Sequence, residues 1–149
     1  HHGPADNPSE TTIMDGSGPS HESKIPCDRL SNVVSVEDFK RTRIVKMDIE
    51  GAEWPALKGM KELLPHARQD LEMIVEVNEF ASGEDGSQAD RIIGFLSGYG
   101  FHPYQIENDY TFAPYLRRGR VPRPERVRDP KHLANQADLV FSRRDASCL

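Results

Sequence analysis

This chain predicts an α/β fold whose sheet ends in an antiparallel strand pair, on three observations. An apolar run over residues 44–49 meets acids at its end and passes at once into a helical stripe. The segments after it alternate as strand, helix, strand, helix and strand, the order of a sheet with crossover helices. A last apolar run, residues 137–141, follows the previous strand without a helix between them, so it is expected to run antiparallel.

Each element has a local cause. Residues 1–24 are rich in Gly, Pro, Ser and acids and cannot bury enough apolar surface to offset their ordering entropy. They are read as a loop or disordered segment, and residues 25–149 as the folded part. Val33-Val34-Ser35-Val36 is β-branched and expected as an edge strand or an extended approach to the core, with Glu37-Asp38-Phe39 as one helical turn. In residues 44–49, Ile44, Val45, Met47 and Ile49 are all apolar, as in a central parallel strand covered on both faces. From 52 to 64 the apolar residues Ala52, Ala56, Met60, Leu63 and Leu64 form a helical stripe. Pro55 suits its first turn and Pro65 its end.

Residues 71–77 read as the next strand, which Glu76 interrupts with a carboxylate among Met73, Ile74, Val75 and Val77. A carboxylate in that setting must be paired or lie at a crevice. Ser87 opens a helix whose stripe is Ala89, Ile92, Ile93 and Leu96, with Gly98 as its stop. Residues 101–106 and 137–141 are the remaining strands. The long connection between them holds Arg117, Arg118, Arg120 and Arg123.

With 149 residues, 36% of them hydrophobic, the chain suits one domain with a real core. Residues 1–114 carry 10 Lys/Arg against 20 Asp/Glu, and residues 115–149 carry 9 against 4. The larger part should repel nucleic acid, while the tail is read as a solvated basic loop. Cys27 and Cys148 form neither a disulfide framework nor a metal spacing, so reduced thiols in the cytoplasm are expected. No apolar run approaches the roughly 18 residues of a membrane span.

The run Lys46-Met47-Asp48-Ile49-Glu50-Gly51-Ala52-Glu53, continued by Leu57-Lys58-Gly59, closely resembles the signature of the FkbM family of methyltransferases. Val36-Glu37-Asp38-Phe39 and Val75-Glu76-Val77 are similar to further family segments. The resemblance implies a class I, Rossmann-like methyltransferase sheet and S-adenosylmethionine as cofactor. It lays the four runs on the fourth to seventh strands, so the chain is expected to be the C-terminal part of a methyltransferase domain. Gly16-Ser17-Gly18 has no strand before it and Gly98-Tyr99-Gly100 follows a helix, so neither is a credible cofactor loop, and no cofactor-binding residue is assigned. A back half alone is expected to be inactive and to self-associate through the exposed edge of its first strand.

The acids of the signature are the candidate site. Ligands of open α/β sheets bind at the carboxyl ends of strands. Asp48, standing there, is the expected proton acceptor or orienting group for an acceptor hydroxyl, with Glu50 second. Lys46, two residues earlier, projects to the same face and favours ionised Asp48. Glu76, Asn78 and Glu79 are expected on the acceptor side. Glu50 and Glu53 also have a structural cause, the helix dipole. Trp54 and Tyr104 are read as packing groups, and His66 and His102 lack a metal spacing.

The function expected is therefore O-methylation of a small-molecule or glycan hydroxyl. A non-catalytic interaction module retaining half the fold is the alternative. Magnesium-assisted phosphoryl transfer at Asp48 and Glu50 ranks last, for want of a P-loop.

Overall fold

The structure is a computed structural model that describes residues 26–78, 87–106, 123–133 and 136–149. The expectations for Gly16-Ser17-Gly18, Glu79, Arg117, Arg118 and Arg120 lie outside the described residues. Two helical turns, α1 (Leu30–Val33) and α2 (Val36–Phe39), lead into strand β1 (Ile44–Met47). Helix α3 (Glu53–Gly59), a 3-10 turn (Leu64–His66), strand β2 (Glu72–Asn78) and helix α4 (Gln88–Ser97) follow. Strands β3 (His102–Ile106), β4 (Glu125–Arg126) and β5 (Gln136–Ser142) complete the sheet.

All four expected strands form. The sheet order is β1-β2-β5-β3-β4, with β1 parallel to β2 and β5 antiparallel to both β2 and β3. The last strand thus inserts between β2 and β3. Because it is reversed, its first residues stand beside the last residues of β2: Gln136 opposite Asn78, and Asp138 opposite Glu76.

Side chains alternate along a strand, and the two faces of this sheet differ. Met73, Val75 and Val77 of β2 and Ala137, Leu139 and Phe141 of β5 face a core shared with Leu57, Met60, Leu63, Leu64, Ile92 and Leu96. Fully burying one such side chain contributes about 1.5–3 kcal/mol. Lys46, Asp48, Ile74 and Glu76 occupy the alternate positions and are exposed or half-buried. Helix α4 begins where Ser87 Oγ accepts the Asp90 N–H (3.3 Å), the cap expected from its sequence.

Three expectations need correction. Residues 33–36 are not a strand. Val33 closes α1, because Val34 N–H bonds Leu30 O at 2.8 Å, and only Val34 and Ser35 are extended before α2. Leu30 and Val34 pack on the core while Val33 is 71% exposed, so a helical turn buries the better pair. Strand β1 takes the edge position expected of a back half, but it is not covered on both faces. It lies at the sheet edge with no described strand on its outer side, which leaves Ile44 62% exposed and only Met47 buried. Helix α3 ends at Gly59 rather than Leu64: the Met60 N–H bonds Leu57 O (3.0 Å) and the Leu63 N–H bonds Met60 O (2.8 Å), so the chain tightens into turns. Pro65 then belongs to the 3-10 turn, and Met60, Leu63 and Leu64 stay buried.

The C-terminal segment is clasped to β3. Tyr104, fully buried, donates its hydroxyl to Arg144 O and accepts the Ala146 N–H at 2.9 Å. Arg126 bonds His102 Nδ1 (2.7 Å) and Asp145 (3.1 Å) and lies over the Tyr104 ring. Arg143 stacks on Phe101 and reaches the carbonyls of Leu64 and Ala67. These described arginines of the basic tail are structural ties, not a solvated loop.

The apolar outer edge of β1 is a template for strand pairing. The chain is expected to self-associate at tens of micromolar, and Ile44→Lys to shift it toward monomer in sedimentation velocity. A wild-type chain that sediments only as monomer removes this edge as an association surface. Within the core, Leu57→Ala is expected to cost about 2–5 kcal/mol in urea unfolding.

Candidate active site

The site is built where β1 gives way to α3. The turn between them is left-handed twice over, with Glu50 at φ 54° and Gly51 at φ 97°. Glycine suits the second position because a side chain there is strained, and an acid at the first is an uncommon conformation of the kind that clusters at functional sites. Glu53, in the first turn of α3, is 2% exposed and holds this turn from inside. Its Oε1 accepts the N–H groups of Ile49 (3.0 Å) and Gly51 (3.4 Å), and its Oε2 accepts from Gln88 Nε2 (3.4 Å). One carboxyl therefore ties the β1–α3 turn to the start of α4. The expected service of Glu53 to the helix start takes this form: it caps the turn that precedes the helix.

Asp48 stands between β1 and that turn, exposed, its Oδ2 2.5 Å from Lys46 Nζ. The pair is mutually reinforcing. The Lys46 ammonium, through this hydrogen bond, holds the Asp48 carboxyl below its ordinary range, with a further hydrogen bond from Glu76, and the same bond raises Lys46. Continuing the β1–β2 register, in which Lys46 pairs Ile74 and Met47 pairs Val75, sets Asp48 opposite Glu76.

Glu76 differs from Asp48 in environment. Burial pushes its carboxyl up first; the Gln136 hydrogen bond pulls it back, and Asp48 and Asp138 push it up again. Gln136 Nε2 donates to Glu76 Oε1 from the neighbouring strand. Lys46, Asp48 and Glu76 are thus brought together, and Asn78 lies one strand period beyond Glu76, its backbone paired with Gln136. Glu50 sits in the turn two residues past Asp48, with its side chain half-buried.

Sequence reasoning missed Gln136 and Asp138. Their signal was present in the alternation Gln136-Ala137-Asp138-Leu139, which puts two polar groups on one face. Trp54 packs edge-to-face on Phe95 (5.6 Å) and carries Lys58 over its ring, and Tyr104 is part of the clasp, so both are packing groups.

The methyltransferase FkbM domain, as a family model, matches residues 2–103. The chain belongs to the FkbM methyltransferase family. Its five-stranded mixed sheet is consistent with part of a Rossmann-like methyltransferase fold. No curated protein and no solved structure matches the chain. Among the described residues no helix is long and apolar enough to cross a membrane.

FkbM membership implies use of S-adenosylmethionine. At the described strand-to-helix turn the Ile49 and Gly51 N–H groups are engaged by Glu53, so neither is offered to that group. No step is therefore assigned to the cofactor at this turn.

Glu53→Ala leaves those N–H groups without their partner, and Gly51→Ala forces a side chain into the left-handed region. Each is expected to lower stability by about 1–3 kcal/mol in urea unfolding. An unchanged midpoint for Glu53→Ala means that water replaces the carboxyl.

Proposed function

We propose that this FkbM-family domain carries the acceptor side of an O-methyltransferase, with Asp48 as the group that orients an acceptor hydroxyl and receives its proton. The observation that supports this reading is the placement of Asp48: an exposed carboxylate just past the carboxyl end of a parallel strand, kept ionised by Lys46 at 2.5 Å. Glu50, Glu76, Asn78 and Glu79 are proposed to border the acceptor, a small molecule or glycan. S-Adenosylmethionine supplies the methyl group, and its pocket is proposed to come from polypeptide other than the described residues.

The chemistry asked of the described residues is modest. Alignment of acceptor and donor supplies up to about 7–11 kcal/mol of rate enhancement, and a positioned base about 10²–10⁴-fold. Asp48 needs no activation beyond being ionised and aimed, and Lys46 provides the first.

A second reading, a non-catalytic module that keeps half the fold, is favoured by the engaged Gly51 turn and the open β1 edge. Calorimetric titration with S-adenosylmethionine, on this chain and on a version extended upstream, separates the two: heat of binding by the extended version supports the enzyme, and its absence from both the module. In a preparation that consumes S-adenosylmethionine in the presence of a hydroxyl acceptor, Asp48→Asn is expected to cut turnover about 100-fold. Near-normal turnover takes Asp48 out of that role.

A further inference from the structure

Three carboxyl groups stand in a row across the sheet: Asp48 after β1, Glu76 on β2 and Asp138 on β5. Neighbouring strands lie about 4.8 Å apart, and like charges placed directly opposite are destabilising. Glu76 occupies the middle position, with Asp138 directly opposite it in register and Asp48 on its other side. The described cation facing this row is Lys46, and its hydrogen bond goes to Asp48. Gln136 donates to Glu76 Oε1, which leaves the second oxygen of that carboxyl to carry a hydrogen toward Asp48. The environments are unequal. Glu76 is half-buried within the strand, whereas Asp48 is exposed beside an ammonium.

We infer that Asp48 and Glu76 share one proton, which Glu76 holds and Gln136 helps to orient, so that Glu76, at the border of the acceptor site, is a positioning residue for Asp48. This deepens the proposed function and rests on its reading of Asp48. With the proton on Glu76, the glutamic acid donates a hydrogen bond to Asp48 in place of repelling it. The Asp48 carboxylate is then gripped from two sides, by Lys46 and by Glu76, and held at the crevice. Burial raises the Glu76 carboxyl and the Lys46 hydrogen bond lowers that of Asp48, which favours the proton on Glu76.

Stability follows with opposite signs. A raised folded-state value for Glu76 contributes stability below its unfolded value that is lost as pH rises through the folded one. The lowered value for Asp48 contributes stability above its unfolded value that is lost as pH falls through the folded one.

The test is a carbon-detected NMR titration of the side-chain carboxyls in the chain alone, with neither cofactor nor acceptor present. Glu76 is expected to titrate above the other glutamates, and Asp48→Asn to move its midpoint down, because a facing negative charge is removed. Gln136→Leu is expected to move that midpoint up. Glu76→Gln, which mimics the protonated acid in shape, is expected to leave the fold intact and to abolish the loss of stability as pH rises above the ordinary glutamate range. A Glu76 that titrates with the exposed glutamates, or a midpoint that Asp48→Asn leaves unmoved, overturns the shared proton. Since no turnover is measured, failure here is distinct from failure of Asp48 as a base, which the turnover of Asp48→Asn reports.

Discussion

The buried carboxyl of Glu53 reaches back four residues to the Ile49 N–H, two to the Gly51 N–H, and across 35 residues of chain to Gln88. Those bonds, with the Ala52 N–H on Ile49 O (3.3 Å), help to hold the two left-handed residues between β1 and α3, where Glu50 stands against its own steric preference. The direction in which Asp48 leaves the sheet follows from that turn. So does the approach of α3 to α4, because Gln88 begins the second helix. A single side chain therefore couples the exposed chemistry on one side of the turn to helix packing on the other.

The sheet is asymmetric for a related reason. Both long helices pack against one face, where Met73, Val75, Val77, Leu139 and Phe141 are buried. Charged residues at the alternate positions of β1 and β2 are tolerated because that region is not sealed by the core. On the same side but farther along the sheet, Tyr104 is buried under the C-terminal segment, held by Arg126 and Asp145. The polar row at the carboxyl ends of β1 and β2 is thus bounded by a firm clasp at β3 and β4 and an open edge at β1. The Arg126–Asp145 bond holds the Asp145 carboxyl below its ordinary range, so this part of the clasp loses its contribution as pH falls through that lowered value.

The FkbM match and the geometry bear on different questions. The first establishes the family from a match over residues 2–103. The second says what those residues do locally: Gly51 and Glu53 build a turn, and Lys46 pairs with the exposed Asp48. The acids of the signature thus separate into buried and exposed members only when each hydrogen bond is traced.

Much of this was legible in the order of residues. Apolar periodicity located four strands and the helix at Ser87, because a period of two or of 3.6 is a local property of the chain. The signature run named the family, and the two-residue spacing of Lys46 and Asp48 put them on one face. What periodicity does not carry is adjacency. That β5 inserts beside β2, and that Gln136 and Asp138 therefore meet Glu76, depend on strand order, which is set by how separate elements bury their faces together. The same holds for Glu53: its charge predicted a place at a helix start, but only the packed turn made it a buried tie, because backbone N–H groups select their partners in three dimensions.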